Sequence, residues 1–129
     1  MADTYRIEDL VAWQLANEIK DEVLALIGRT PARGDYRFAG QVRDAATSVP
    51  SNVAEGFHRY NPAEFANFLR YARASVAELL TRLPDGVKLG YYAPADIEPL
   101  LALLRREAAV LGGLRQAMRR LARNRNPRT

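Results

Sequence analysis

Apolar residues recur at spacings of three and four in four consecutive stretches, and the residues between those stretches are turn formers. Such a period places one face of a helix in a core. The spacing of Ala12, Ala16, Ile19, Val23 and Leu26 predicts a first helix over about Glu8 to Ile27, stopped by Gly28 and followed by a polar loop through Asp35. A second helix starts near Tyr36 with the stripe Phe38, Val42, Ala45, Val49, Val53 and Phe57, and Pro50 removes one backbone donor in its middle. Asn61-Pro62-Ala63-Glu64 then combines an Asn cap, Pro at the first helical position and an acid three residues after the cap. The third stripe runs through Phe65, Leu69, Ala72, Val76, Leu79 and Leu83, and Pro84-Asp85-Gly86 is expected to break or sharply kink it. After the turn Gly90-Tyr91-Tyr92-Ala93, a fourth helix is expected to begin between Ala95 and Pro99 and to end near Arg123. The expected architecture is all-α, an up-down antiparallel four-helix bundle over residues 1–123 with a basic tail at 124–129.

At 129 residues the chain fits one domain that needs no covalent staple. No apolar run approaches the ~20 residues of a membrane span, and the N-terminus carries no secretory signature, so a cytoplasmic protein is expected. Cysteine is absent, which excludes disulfides and thiolate catalysis. His58 is the single histidine. Ser48 and Ser51 lie roughly 10–15 Å from it along a helix, too far for a proton relay. One histidine also cannot furnish a bundle metal site. Gly112-Gly113 falls within a helical pattern, not in a phosphate loop. No catalytic, metal or cofactor constellation is found, and a non-enzyme is expected.

The fourth helix has an apolar arc too wide for one seam, because Leu101, Leu103 and Val110 flank Leu100, Leu104, Leu111, Leu114, Met118 and Leu121. Surplus apolar surface points to a second contact, for which another copy of the chain is the natural candidate. Glu107 falls inside the arc, where it either pairs with a cation such as Arg43, Arg70 or an arginine of another subunit, or reaches the arc's edge and is solvated. The net charge of +4 is unevenly spread: Arg115, Arg119, Arg120, Arg123, Arg125 and Arg128 stand in the last fifteen residues without an acid, which leaves the body at −2. Those arginines suit phosphate recognition, or they complement a helix C-terminus and solubilise its end. Tyr60, Tyr71, Tyr91 and Tyr92 have the chemistry to stack on bases, but nothing in the sequence sets them beside the tail.

Three segments carry a family resemblance. They are Asp9-Leu10-Val11-Ala12-Trp13-Gln14-Leu15-Ala16, the run from Gln41 through Ser48-Val49-Pro50-Ser51-Asn52-Val53-Ala54-Glu55-Gly56, and Phe65 to Leu83. Together they resemble the four-helix-bundle proteins encoded in intervening sequences of bacterial 23S ribosomal RNA genes, over roughly residues 7 to 122. The resemblance implies an up-down bundle, assembly as a homopentamer and a poorly defined function. Trp13, Gln41, Arg43, Pro50, Ser51, Asn52, Glu55, Gly56 and Glu78 are motif positions for which it implies structural roles. For Ser51, Asn52 and Glu55 a ligand site is the alternative to local backbone bonding at the Pro50 kink. More remotely, the chain resembles accessory variability proteins of diversity-generating retroelements, basic pentamers that work with nucleic acid and a reverse transcriptase. Pro84-Asp85-Gly86 and Ala74 depart from the pattern. The expected function is a nucleic-acid-binding accessory module acting through basic residues; the alternative is a structural or protein-interaction adaptor.

Overall fold

The computed structural model describes residues 6–125, in which four α-helices and two short 3-10 turns account for every regular element. They are α1 (Val11–Gly28), α2 (Tyr36–Phe57), α3 (Pro62–Lys88) and α4 (Pro94–Arg125). The start of the first helix differs from expectation. Ile7–Asp9 forms a separate 3-10 turn, because the buried Leu10 is extended (φ −80°, ψ 124°) and enters the core before α1 begins. The Asp35 carboxylate caps α2 by accepting from the Phe38 amide at 3.1 Å, and Asn61 caps α3 by accepting from the Glu64 amide at 3.0 Å.

Each helix packs on the next, and α1 also meets α4, so one core is enclosed by all four. The stripes read from the sequence line it. Ile19, Val23, Val42, Val49, Val53, Leu69, Val76, Leu79, Leu83, Leu104 and Leu111 are all buried, and burial of such side chains contributes about 1.5–3 kcal/mol each. Partners on α2 rise in number as those on α3 fall: Gln41 bonds to Arg82, Ser48 to Ser75, and Gly56 lies against Phe65 and Phe68.

The expected break at Pro84-Asp85-Gly86 does not occur; α3 continues to Lys88. Tertiary packing overrides the local signal. Tyr92, from the following turn, donates its hydroxyl to the Leu83 carbonyl at 2.7 Å, and its ring occupies the space beside Gly86. A Cβ at Gly86 would stand 2.1 Å from the Tyr92 hydroxyl oxygen, so this glycine is a socket and not a helix stop. The neighbouring Tyr91 donates to the Asp35 carboxylate, which ties the α3–α4 turn to the start of α2.

The fourth helix begins at Pro94, just before the expected window, and runs to Arg125, past the expected end. Residues 126–129 of the expected tail, including Arg128, lie outside the described residues. At 32 residues α4 is about 48 Å long, against about 27 Å for the 18 residues of α1. Burial on α4 therefore stops early: Ile97, Leu100, Leu104, Glu107 and Leu111 are buried, and no residue from 112 to 125 is. Leu101, Leu103, Val110, Leu114 and Met118 are half-buried on its flanks, and Leu121 is exposed.

Glu107 departs from both sequence expectations. It is fully enclosed, and neither carboxylate oxygen has a hydrogen-bond partner among the described residues. Neither Arg43 nor Arg70 reaches it, and full enclosure within one chain leaves no approach for another subunit's arginine. Burial alone pushes its pKa from 4.5 up to about 8. The folded protein thus holds a proton that the unfolded chain releases above about pH 4.5, and Glu107 costs progressively more stability as pH rises from there to about 8. Glu107→Leu is expected to raise the melting temperature more at pH 8 than at pH 5, with a gain on the order of 1–4 kcal/mol at the higher pH. Equal gains at both would show that the carboxyl is not held protonated.

Candidate nucleic-acid interface

The middle and C-terminal part of α4 meets the first two-thirds of α3 along an open seam. Two hollows lie on it. One, of about 410 Å³, is lined by Arg115, Arg119 and Arg123 with Asn67 and small alanines; the other, of about 370 Å³, by Arg70, Arg73 and Arg115 with Ala74, Ala77 and Leu80. Arg115 belongs to both, and its Nε is enclosed without a hydrogen-bond partner among the described residues. A shallower hollow of about 240 Å³ joins Arg119, Arg120 and Arg123 with Gln116. No carboxylate lines any of the three.

The candidate arginines of α4 therefore divide. Arg115, Arg119 and Arg123 face the seam, Arg120 sits on its outer edge, and Arg125 lines a different hollow at the α2–α3 turn. Two seam residues were not legible as such from the sequence. Arg73 donates its Nε–H to the Ala108 carbonyl at 3.2 Å and lies over Gly112, whose missing side chain leaves the guanidinium room. Arg70 stacks over Tyr71 with its guanidinium carbon 4.9 Å from the ring centroid. Their three-residue spacing on the polar side of α3 marks them as neighbours; only the packing shows that α4 lies beside them.

The tyrosines divide as well. Tyr91 and Tyr92 are spent on the bonds to Asp35 and Leu83, whereas Tyr60 and Tyr71 are exposed. Tyr60 lines the hollow that Arg125 also lines, and Tyr71 lies under Arg70, so the fold does set two aromatic rings beside arginines.

The motif positions fall elsewhere. Asn52 turns back along α2 and donates its amide to the Ser48 carbonyl at 2.9 Å and the Ser48 hydroxyl at 2.8 Å, which also accepts from Ser75 of α3 at 2.9 Å. Ser51 faces solvent, and Glu55 pairs with Arg59 at 2.9 Å. Ser51, Asn52 and Glu55 thus point to three different surroundings, and Asn52 does backbone service beside the buried Pro50. Gln41 and Glu78 converge on Arg82, which donates to both at 2.9 and 2.8 Å and bridges α2 to α3. Trp13 packs half-buried on the core, and the half-buried Arg43 offers its carbonyl to the Thr47 hydroxyl. His58 is exposed at the end of α2 and donates from Nδ1 to the Ala54 carbonyl, not to a serine. Among the described residues no cluster of three or more His, Cys, Asp or Glu could hold a metal, and no helix is long and apolar enough to cross a membrane.

A family model described as 23S rRNA-intervening sequence protein matches residues 8–113. No curated protein matches the chain. The matched span holds every motif position above together with Arg70 and Arg73, and it ends before Arg115. Within it, Gly56 marks a close approach of α2 and α3: a Cβ there would lie 2.7 Å from both Phe65 Cδ1 and Phe68 Cβ. Gly113, at the end of the span, has open space around it. Gly56→Ala is expected to destabilise by about 1–3 kcal/mol, and Gly113→Ala to stabilise by about 0.5–1 kcal/mol. Urea unfolding of the two variants checks both signs; a neutral Gly56→Ala would mean that the helices can part there at no cost.

Proposed function

The chain belongs to the family of 23S rRNA-intervening sequence proteins, and from that premise we propose that it is a non-enzymatic, homo-oligomeric module that binds the phosphate backbone of RNA or DNA. Its scaffold in this reading is an up-down antiparallel four-helix bundle, supported by the short links between packed helices and by the opposed order of the α2–α3 contacts. The half-buried apolar flanks of α4 support self-association, and the family resemblance supports five copies. A cytoplasmic setting suits a chain without cysteine.

The observation that carries the reading is a groove lined by Arg70, Arg73, Arg115, Arg119 and Arg123 with no carboxylate in its walls. Neighbouring guanidinium groups repel one another and are not neutralised locally. A polyanion supplies the missing charge, and arginine matches phosphate oxygens in a bidentate way. Contacts of this type position a backbone without reading sequence. In an assembly each copy adds a groove, so weak contacts gain from effective concentration.

Fluorescence anisotropy with a labelled RNA of about twenty nucleotides, titrated at increasing salt, tests the proposal. Binding is expected to weaken steeply with salt. The triple variant Arg115→Gln, Arg119→Gln, Arg123→Gln is expected to lose affinity and to flatten the log–log salt slope by about 2. Wild-type protein that ignores RNA at low salt would refute the proposal and favour a protein adaptor.

A further inference from the structure

The hollow of about 450 Å³ at the α2–α3 turn is not explained by backbone binding. Its floor is apolar, with Phe57, Phe65 and Met118, and its rim carries Tyr60, Leu121 and Arg125. Tyr60 is held there at a cost. Its φ of +53° is in the left-handed region, which a residue with a Cβ enters at an expense of about 1–2 kcal/mol. The residue nevertheless remains 80% exposed, so no burial of the ring offsets that expense. A strained backbone that sets a bare aromatic ring at the lip of an apolar hollow is the pattern of a ligand contact.

We infer that this hollow seats an unpaired nucleobase, so that the preferred ligand of the proposed function is single-stranded nucleic acid and not a duplex. The inference rests on that function and deepens it. A base has an apolar face for the Tyr60 ring and the apolar floor, and the phosphates on either side of it are anionic. Arg125 stands at the rim, with Arg123 and Arg119 along the same helix toward the seam. Asn61, also at the rim, spends its side-chain oxygen on capping α3, which leaves its amide nitrogen to donate to a base carbonyl. The carboxylates nearest in sequence, Glu55 and Glu64, are both held by Arg59 at 2.9 and 3.2 Å and do not line the hollow. A duplex keeps its bases stacked and paired and offers a concave apolar site nothing to insert, whereas strands with free bases stack on aromatic platforms. An apolar side chain from a second copy fits less well, because it would enclose Arg125 with no acid on the rim to pair it.

Anisotropy at one low salt concentration, with a labelled twelve-nucleotide oligouridine and a blunt twelve-base-pair RNA duplex, tests the inference. Wild-type protein is expected to bind the single strand more tightly. Tyr60→Ala is expected to weaken oligouridine binding about 5- to 100-fold and to leave duplex binding unchanged, with Tyr60→Trp retaining the preference. Tyr60→Gly, which suits the left-handed backbone, is expected to reproduce the loss and rules out unfolding as its cause. Equal binding of both ligands, or an equal loss on both in Tyr60→Ala, overturns the inference and leaves the phosphate reading standing. Binding of neither ligand by wild-type protein overturns both. A change of mass by light scattering in Tyr60→Ala without a change in oligouridine affinity assigns the hollow to a contact between copies and overturns the nucleobase.

Discussion

The mismatch in helix length controls what this fold can offer a partner. Four helices of equal length close over one another from end to end and leave only polar faces outward. Here α1 is 18 residues long and α4 is 32, so the core closes around the N-terminal part of α4 and the remainder projects beside α3 and the α2–α3 turn. Within the projecting part no residue is fully buried, although Leu114, Met118 and Leu121 are apolar. The end of the seam that holds Arg115, Arg119 and Arg123 and the hollow at Tyr60 both lie there.

The close approach of α2 and α3 gives the projecting part something rigid to lean on. Gly56 lets the Phe65 and Phe68 side chains seat against α2, and the Gln41–Arg82–Glu78 bridge fixes the two helices at the other end. The core accepts a liability within this frame, the enclosed carboxyl of Glu107, which has no hydrogen-bond partner among the described residues. An acid kept protonated costs far less in such a place than a buried charge would, which is how the stripe tolerates a Glu between Leu104 and Leu111.

The helices themselves were legible because their signals are local. Asn61 with Pro62 marks the start of α3, Gly28 the end of α1, and the three- and four-residue stripes name the core faces. Pro84-Asp85-Gly86 misled for the opposite reason. Its role depends on Tyr92, a residue in another element whose ring needs the space a side chain at position 86 would take. The site was half legible in the same sense. Arg115, Arg119 and Arg123 share an edge of one helix and can be counted from sequence, but Arg70 and Arg73 join them only through packing. Tyr60 could not have been found from its pattern, because its backbone angle and exposure are properties of the folded turn.

The same geometry bears on the two explanations of the basic C-terminal region. Cations that complement a helix dipole act within its last turn, and that account covers Arg123 and Arg125. It does not reach Arg115, which lies more than two turns earlier with part of its guanidinium group enclosed, and it has no bearing on Arg70 and Arg73, which stand well inside a different helix. Arg70 and Arg73 are exposed, as charges that serve solubility are, and they stand side by side in a groove with Arg115. In the proposed reading, the mutual repulsion of cations that converge from two helices on walls without a carboxylate is the cost that a ligand offsets. That cost falls when an anion with several regularly spaced charges occupies the groove, and a nucleic-acid backbone is such an anion.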